Sequence, residues 1–536
     1  MTAFTISDMP ATSPWAGPTF DGLVRTNGVQ PLWALLLVGA ATAASDPETL
    51  MRASMILAIA LVVVSALAMN VVFKSLFSPP LRRVALLFYL AMIASPQLIL
   101  SGMETPVSLA AFTLALAAAF YLHKSWKSIF VTGVLIGLTC LAQVDNLIMT
   151  PAFALILLYR NGILQSGDRF SRTLRSMLCL ITPILFIFGP YVVSNMLVFG
   201  HALPISGEVK STLQSHHAEA IGGRFSLAYL METTRATIQQ YSTIFNNHLM
   251  MLLIAFSPVT LLARAVLAVG LLLLVIAIWK RRKLRLSTNE YRALLPLSIA
   301  GVVVLNTLFH TWILFFQLGE RNASVLNWYY VPEYILLSIM LGFLMQGIAR
   351  LLRADTGQFY RVTGLALIAS LLVSMGVFIW HFEHPAGVQP LLAHYRATQW
   401  ANEQIPDSDI IGAFNAGVVG YFSDATVINL DGLMNDDEIL HIVRSKGSYA
   451  DYLIRHNIGW VMDYTDINWS PDEAGSFQGI PAHWLEPVYR QPFDNYGFAP
   501  PSFTCSRFHR DYGPVISFSD NSCESNEFFT PVSAWF

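Results

Sequence analysis

The chemistry open to this chain centres on a short polar break, Ser101-Gly102-Met103-Glu104-Thr105-Pro106, which sets one carboxylate between two long apolar runs. A carboxylate within hydrocarbon is expensive, whereas one at a helix end broken by Gly102 and Pro106 can face water, a metal ion or a ligand. Asp21 and Asp145 are the other acids placed like it, beside Asn27, Asn146, His201 and Ser206. Asp21 and Glu104 are the candidate general bases, and Glu104 is also the candidate ligand for a divalent cation, Mg or Mn. Lys210 and Arg321 are fit to hold a phosphate, and the run Trp328-Tyr329-Tyr330 to stack on a sugar or a polyprenyl chain. Each feature also has a plainer reading: a solvated loop carboxylate, a solvated lysine, an aromatic belt where a span meets water.

These residues are set among membrane-like segments. Apolar residues make up 54% of the chain and charged ones only 12%, far from the balance of an ordinary soluble domain. The net charge of −2 leaves no basic face for nucleic acid, which is excluded as a partner. Residues 1–30 are polar and show no signal-peptide pattern, and Pro31 to Ala44 is short enough to suit a helix that lies in the interface, with Trp33 as its anchor, or re-enters the membrane. Apolar runs predict about ten spans near 50–73, 84–102, 105–122, 128–142, 145–159, 173–198, 259–279, 291–317, 329–350 and 361–381.

Basic residues fall in every second loop: Lys74 with Arg82 and Arg83, Lys124 with Lys127, Arg160 through Arg175, Lys280-Arg281-Arg282-Lys283, and Arg350 with Arg353 and Arg361. Those loops are expected to be cytoplasmic, which puts the Glu104 tip, the Gln143-to-Asn146 turn, the loops 199–258 and 318–328 and the C-terminal part outside. The expected organisation is an outer-face loop and interfacial helix over 1–49, a transmembrane domain over 50–381 with an outer loop 199–258, and a soluble α/β domain over 382–536. In that last part short β-prone stretches such as 427–430 and 460–463 alternate with Gly, Pro and Asp. Cys505 and Cys523 are its only cysteines, and a disulfide between them suits an oxidising compartment. Cys140 and Cys179 lie in apolar runs and read as small buried residues, and no Cys or His spacing forms a zinc site.

At these residues the chain resembles the bacterial GT-C glycosyltransferases, membrane enzymes that use polyprenyl-phosphate sugars, in the branch of mycobacterial arabinofuranosyltransferases and envelope mannosyltransferases. The resemblance rests on Phe20-Asp21-Gly22, Thr26-Asn27-Gly28-Val29-Gln30-Pro31-Leu32-Trp33, Ser101 to Thr105, Gly137-Leu138-Thr139 and Gln143-Val144-Asp145. It continues through Phe199 to Ser206 with Lys210, Trp328 to Pro332, Gly412 to Gly417, Gly420-Tyr421-Phe422 and Asn429-Leu430-Asp431-Gly432-Leu433. It implies a polytopic helical GT-C-like fold with a C-terminal periplasmic or extracellular α/β domain in a bacterial inner membrane. It also implies a polyprenyl-phosphate sugar donor, a glycan, lipid or protein acceptor in the cell envelope, and a carboxylate that deprotonates the acceptor hydroxyl.

Two departures from the family shape the expectation. The resemblance implies a first span and a following acidic pair ahead of Phe20, where 19 residues of another character stand. Gln143 and Val144 also occupy positions where the family tends to carry Arg. The expectation is therefore an N-terminally incomplete relative with little turnover. Two other classes compete: a non-catalytic binding protein, and a lipid-linked sugar transporter or flippase, whose polar residues would sit at the bilayer midplane in broken helices.

Overall fold

The computed structural model describes residues 26–93, 102–121, 125–160, 169–235, 331–351, parts of 357–372, 390–464 and parts of 476–508, a few single positions excepted. The membrane-like half begins with α1 (Pro31–Ala41), α2 (Pro47–Leu76) and α3 (Pro79–Ile93). Helix α2 starts where a break is written into the chain: Asp46 accepts the Thr49 N–H at 2.8 Å, Pro47 takes the first helical position, and Lys74 falls in the last turn. Next come α4 (Thr105–Tyr121), α5 (Trp126–Ala142), a 3-10 turn (Val144–Met149), α6 (Thr150–Arg160), α7 (Arg169–Phe199), α8 (Ile205–Ala220) and α9 (Val331–Leu351). One continuous core of buried side chains, among them Phe73, Tyr89, Phe112, Phe153 and Tyr334, joins α2 to α7 and α9.

Among the described residues two helices, Pro47–Leu76 and Phe170–Phe199, are long and apolar enough to cross a membrane. Both carry exposed large apolar residues, such as Ile56 and Leu67 on α2 and Phe186 and Leu197 on α7, as a lipid-facing surface requires. The structure differs from the expected spans in places. The run 145–159 is a 3-10 turn followed by an 11-residue helix, because Asp145 and Asn146 turn the chain before Pro151 restarts it. The expected spans 259–279 and 291–317 lie outside the described residues. In the expected interfacial segment, Trp33 and Leu37 of α1 are buried against Val107, Ala111 and Ala142 instead of facing lipid.

The C-terminal half is an α/β unit. It runs α10 (Pro390–Gln404), β1 (Ile410–Ala413), α11 (Ala416–Phe422), β2 (Thr426–Asn429), α12 (Asp437–Ser445), α13 (Ala450–Arg455), β3 (Ile458–Tyr464), a small β4 (Ser476–Phe477) and β5 (Ile480–Pro481) pair, β6 (Leu485–Pro492) and β7 (Ser502–Phe508). The main sheet has the order β2-β1-β3-β7-β6, with β2, β1 and β3 parallel and β7 and β6 antiparallel. The alanines of α10, Ala393, Ala397 and Ala401, lie over one face of this sheet, and Ile439, Tyr452 and Leu453 of α12 and α13 over the other.

A five-residue strap, 26–30, binds the two halves. Val29 is buried in the sheet core with Ala397 and Met434, while the residues beside it grip the membrane-like half. Gly28 passes so close to the sheet that a Cβ there would stand 2.0 Å from the Leu433 carbonyl oxygen, so no side chain fits. A second contact, from the Tyr421 hydroxyl to the Pro47 carbonyl at 2.5 Å, ties α11 to the start of α2.

Candidate functional site

The Glu104 tip is built by residues far from it in sequence. Trp33 donates its indole N–H to the Gly102 carbonyl at 3.0 Å, fixing the chain just ahead of the acid. The Glu104 carbonyl then accepts the Val107 and Ser108 N–H groups at 3.1 and 3.0 Å and starts α4. Gln30 accepts the Val144 N–H at 3.1 Å and so holds the 3-10 turn that carries Asp145. Between the two loops Asn146 donates to the Ser108 hydroxyl at 2.9 Å and Ser108 donates to Gln143 at 3.0 Å. The strap also sets α8: Asn27 accepts the Ile205 N–H at 2.8 Å, satisfying an otherwise open donor in the first helical turn. Helix α8 carries Ser206 and, one turn on and on the same face, Lys210.

The charges of these elements meet. Burial lifts the Glu104 carboxyl above the usual carboxylate range; its own backbone N–H and the Lys210 ammonium oppose the shift, and Asp145 adds to it. Burial raises Asp145 to about 6, with Lys210 again opposing. Asp431, in the turn that follows β2, is raised to about 7 by burial and opposed by hydrogen bonds from the Leu433 N–H and the Asn429 side chain; Lys210 lowers it and Asp463 raises it. One lysine on α8 thus interacts electrostatically with a pair of membrane-side acids and with an acid of the sheet domain. Beside Glu104, the Thr105 hydroxyl is fully buried with no hydrogen-bond partner among the described residues.

The expected site residues separate into three groups. Glu104, Asp145 and Lys210 are brought together, with Ser206 half-buried on the face of Lys210. Asn27 and Asn146, read from sequence as substrate contacts, spend their amides on the Leu203–Ile205 backbone and on Ser108 and Thr139, and so build the site. His201 is hydrogen-bonded to Asp437 of α12 at 2.8 Å and ties α8's approach to the sheet domain. Asp21, Arg321, Trp328, Tyr329, Tyr330 and Cys523 lie outside the described residues, and Cys505 is buried in β7. Sequence reasoning passed over Gln30, Gln143 and Asp431 as site residues; the signal for Asp431 was its Asn-Leu-Asp-Gly-Leu turn.

Among the described residues the expected cation at Glu104 finds no complete ligand set, and Asp21 lies outside them. Mg and Mn need several oxygen donors, and among the described residues no three His, Cys, Asp or Glu side chains converge. Here the counter-charge facing Glu104 and Asp145 is the Lys210 ammonium.

Residues 387–516 match a family described as a domain of unknown function (DUF8728). No curated protein matches the chain. The oligosaccharyltransferase of Archaeoglobus fulgidus in its apo form superposes with a TM-score of 0.50 at 11% identity, over 89% of this chain and 68% of that one. The archaeal oligosaccharyltransferase AglB from the same organism, in complex with an inhibitory peptide and a dolichol-phosphate, matches at 12% identity and a TM-score of 0.46, over 91% of this chain and 67% of that one. The fold is GT-C. At such low identity the likeness concerns architecture, and the chemistry must come from the residues described above.

Proposed function

We propose that this chain is an integral membrane glycosyltransferase of the GT-C type. It moves a sugar from a polyprenyl-phosphate donor to a hydroxyl of an envelope glycan, lipid or protein at the outer face of a bacterial inner membrane. The observation that carries this reading is the convergence of Glu104, Asp145 and Lys210 where helix ends meet the sheet domain, on a fold shared with an oligosaccharyltransferase. The reading includes the multi-pass topology of about ten spans and the periplasmic or extracellular placement of residues 382–536, both supported by the alternation of basic loops.

In this reading the polyprenyl tail lies along the exposed apolar helix faces and its phosphate reaches the tip. The Lys210 ammonium offsets the charge that grows on the leaving phosphate, with Arg321 as a second holder. Glu104, kept above the usual range by burial, is a hydrogen-bond donor to the sugar or phosphate when protonated, and the open Thr105 hydroxyl lies beside it. The run Trp328-Tyr329-Tyr330 is assigned to the donor sugar or its lipid. The acids stand at helix ends and turns instead of mid-helix, which favours transfer at a face over transport through the bilayer.

The test is donor binding by the purified full chain in lipid nanodiscs, using radiolabelled decaprenyl-phosphate arabinose and undecaprenyl-phosphate mannose. Lys210→Met should weaken binding of at least one donor tenfold or more. Binding of neither donor by the native chain would sink the reading.

A further inference from the structure

We propose that the sheet domain supplies the base of the reaction, with Asp431 taking the proton of the acceptor hydroxyl. The inference rests on the transferase reading and adds to it a residue of the sheet domain.

The topology points there first. The parallel strands β2, β1 and β3 end on one side of the sheet, at Asn429, Ala413 and Tyr464. In open α/β sheets ligands bind beyond the carboxyl ends of such strands. This edge packs on the strap and on α8: Leu433 lies against Gly28, and a Cβ on Gly432 would stand 3.2 Å from a methyl of Val209, the neighbour of Lys210. Ile205, Val209 and Leu440 form a small buried core that closes the joint between α8 and α12. Helix α8, which carries Lys210, therefore joins the crevice of the sheet to the acid-bearing loops, and in this proposal the two form the walls of one site.

Asp431 is the acid on the sheet wall. Its Oδ1 accepts the Leu433 N–H at 2.8 Å, and Asn429 accepts the Gly432 N–H at 3.0 Å, so the turn holds the carboxylate in one orientation. A carboxylate has about four acceptor positions, which leaves capacity for a hydroxyl. It is half-buried, whereas Glu104 is 7% exposed and sits on the membrane-side wall where the donor's phosphate arrives. Lys210 interacts electrostatically with the acids of both walls. An acceptor entering from the aqueous side passes the sheet wall, which sets its hydroxyl beside Asp431 and the phosphate on the far side of the sugar. As the new bond forms between the acceptor oxygen and the anomeric carbon, the bond from that carbon to the phosphate oxygen breaks and the phosphate keeps the electron pair. The hydroxyl proton passes to the Asp431 carboxylate.

The experiment uses the full chain in nanodiscs, the two labelled donors above, and a delipidated cell-envelope fraction as acceptor, with donor binding measured alongside transfer. Asp431→Asn keeps an oxygen for the Leu433 N–H, so the turn and the thermal midpoint should be retained. Its kcat should fall on the order of a hundredfold or more with donor affinity within about twofold, and Asp431→Glu should recover part of the rate. Transfer by Asp431→Asn at the native rate would overturn the proposal while leaving the transferase reading standing. A loss of rate matched by loss of donor affinity, or no recovery in Asp431→Glu, would overturn it too, making Asp431 a positioning residue. Absence of transfer by the native chain from either donor would instead remove the reading on which the proposal rests.

Discussion

The Glu104 tip and the Asp431 turn are both short acid-bearing loops facing Lys210, yet they are held in opposite ways. The tip is set by partners from distant segments: Trp33 is 69 residues from Gly102, and Gln30 is 114 from Val144. The Asp431 turn closes on itself, with Asn429 and Asp431 bonding the N–H groups three and two residues on. A self-closing turn keeps its shape wherever the sheet goes. The tip exists only while the strap 26–30 and α1 stay docked, so geometry on the membrane side depends on the assembly of the whole molecule.

The sharpest way to break this contrast is at Gly28. Even Gly28→Ala places a methyl against the Leu433 carbonyl, and the strap must shift; a loss of about 3 kcal/mol is expected, with release of both Asn27 and Gln30 from their partners. A lowered thermal midpoint together with loss of donor binding is the expected pair of results. An unchanged midpoint would mean that the strap does not join the two halves.

Gly432→Ala probes the other loop. Its φ of +73° disfavours any side chain by about 1–2 kcal/mol, and the added methyl would meet Ile439 at 2.7 Å. The midpoint should fall while donor binding persists, because the tip is built elsewhere. Loss of binding equal to that in Gly28→Ala would erase the distinction between the loops.

Trp33→Phe removes one donor and leaves the ring. The Gly102 carbonyl loses its partner at about 1–2 kcal/mol, with donor binding weakened more than stability. Equal donor affinity in this variant and the native chain would show that the tip does not need the indole.

Titration separates the loops from the rest of the surface. Asp145 and Asp431, raised to about 6 and about 7, hold protons in the folded chain that the unfolded chain has already released at those pH values. Native binds more protons than unfolded between the ordinary aspartate range and these values, so stability is full below that range and falls as pH rises through about 6 to 7. The double variant Asp145→Asn with Asp431→Asn should flatten this fall in midpoint-against-pH curves; parallel curves would contradict it. The smallest effect is expected at the exposed pair Glu208–Arg444, 3.1 Å apart, where Glu208→Gln should cost about 0.5 kcal/mol by chemical denaturation. A loss of several times that would make the ion pair, and not the apolar core of Ile205, Val209 and Leu440, the main fastener of α8 to α12.

This contrast also explains what could be read from the chain alone. Helical runs and β-prone stretches are local signals: 460–463 falls in β3 and 427–430 in β2 except for its last residue, and the long apolar runs 50–73 and 173–198 lie within α2 and α7. Glu104 and Asp145 were visible because charge is conspicuous among apolar residues, and Lys210 because it follows the Phe199-to-Ser206 stretch that carries the family resemblance. The roles of Asn27, Asn146 and Trp33 were not, because an amide or indole that bonds a backbone group many residues away carries no mark in its own neighbourhood. Asp431 was visible as a turn residue, and only the docking of the sheet edge onto α8 turns it toward a site.

The central claim is that Lys210 and its facing acids handle a polyprenyl-phosphate sugar. Transfer of label from decaprenyl-phosphate arabinose and undecaprenyl-phosphate mannose to a cell-envelope fraction, by the purified full chain and by Glu104→Gln and Lys210→Met, tests it most directly. The account predicts transfer by the native chain from one of the donors, and a loss of at least tenfold in both variants with the thermal midpoint retained. Native-level transfer by both variants would contradict it.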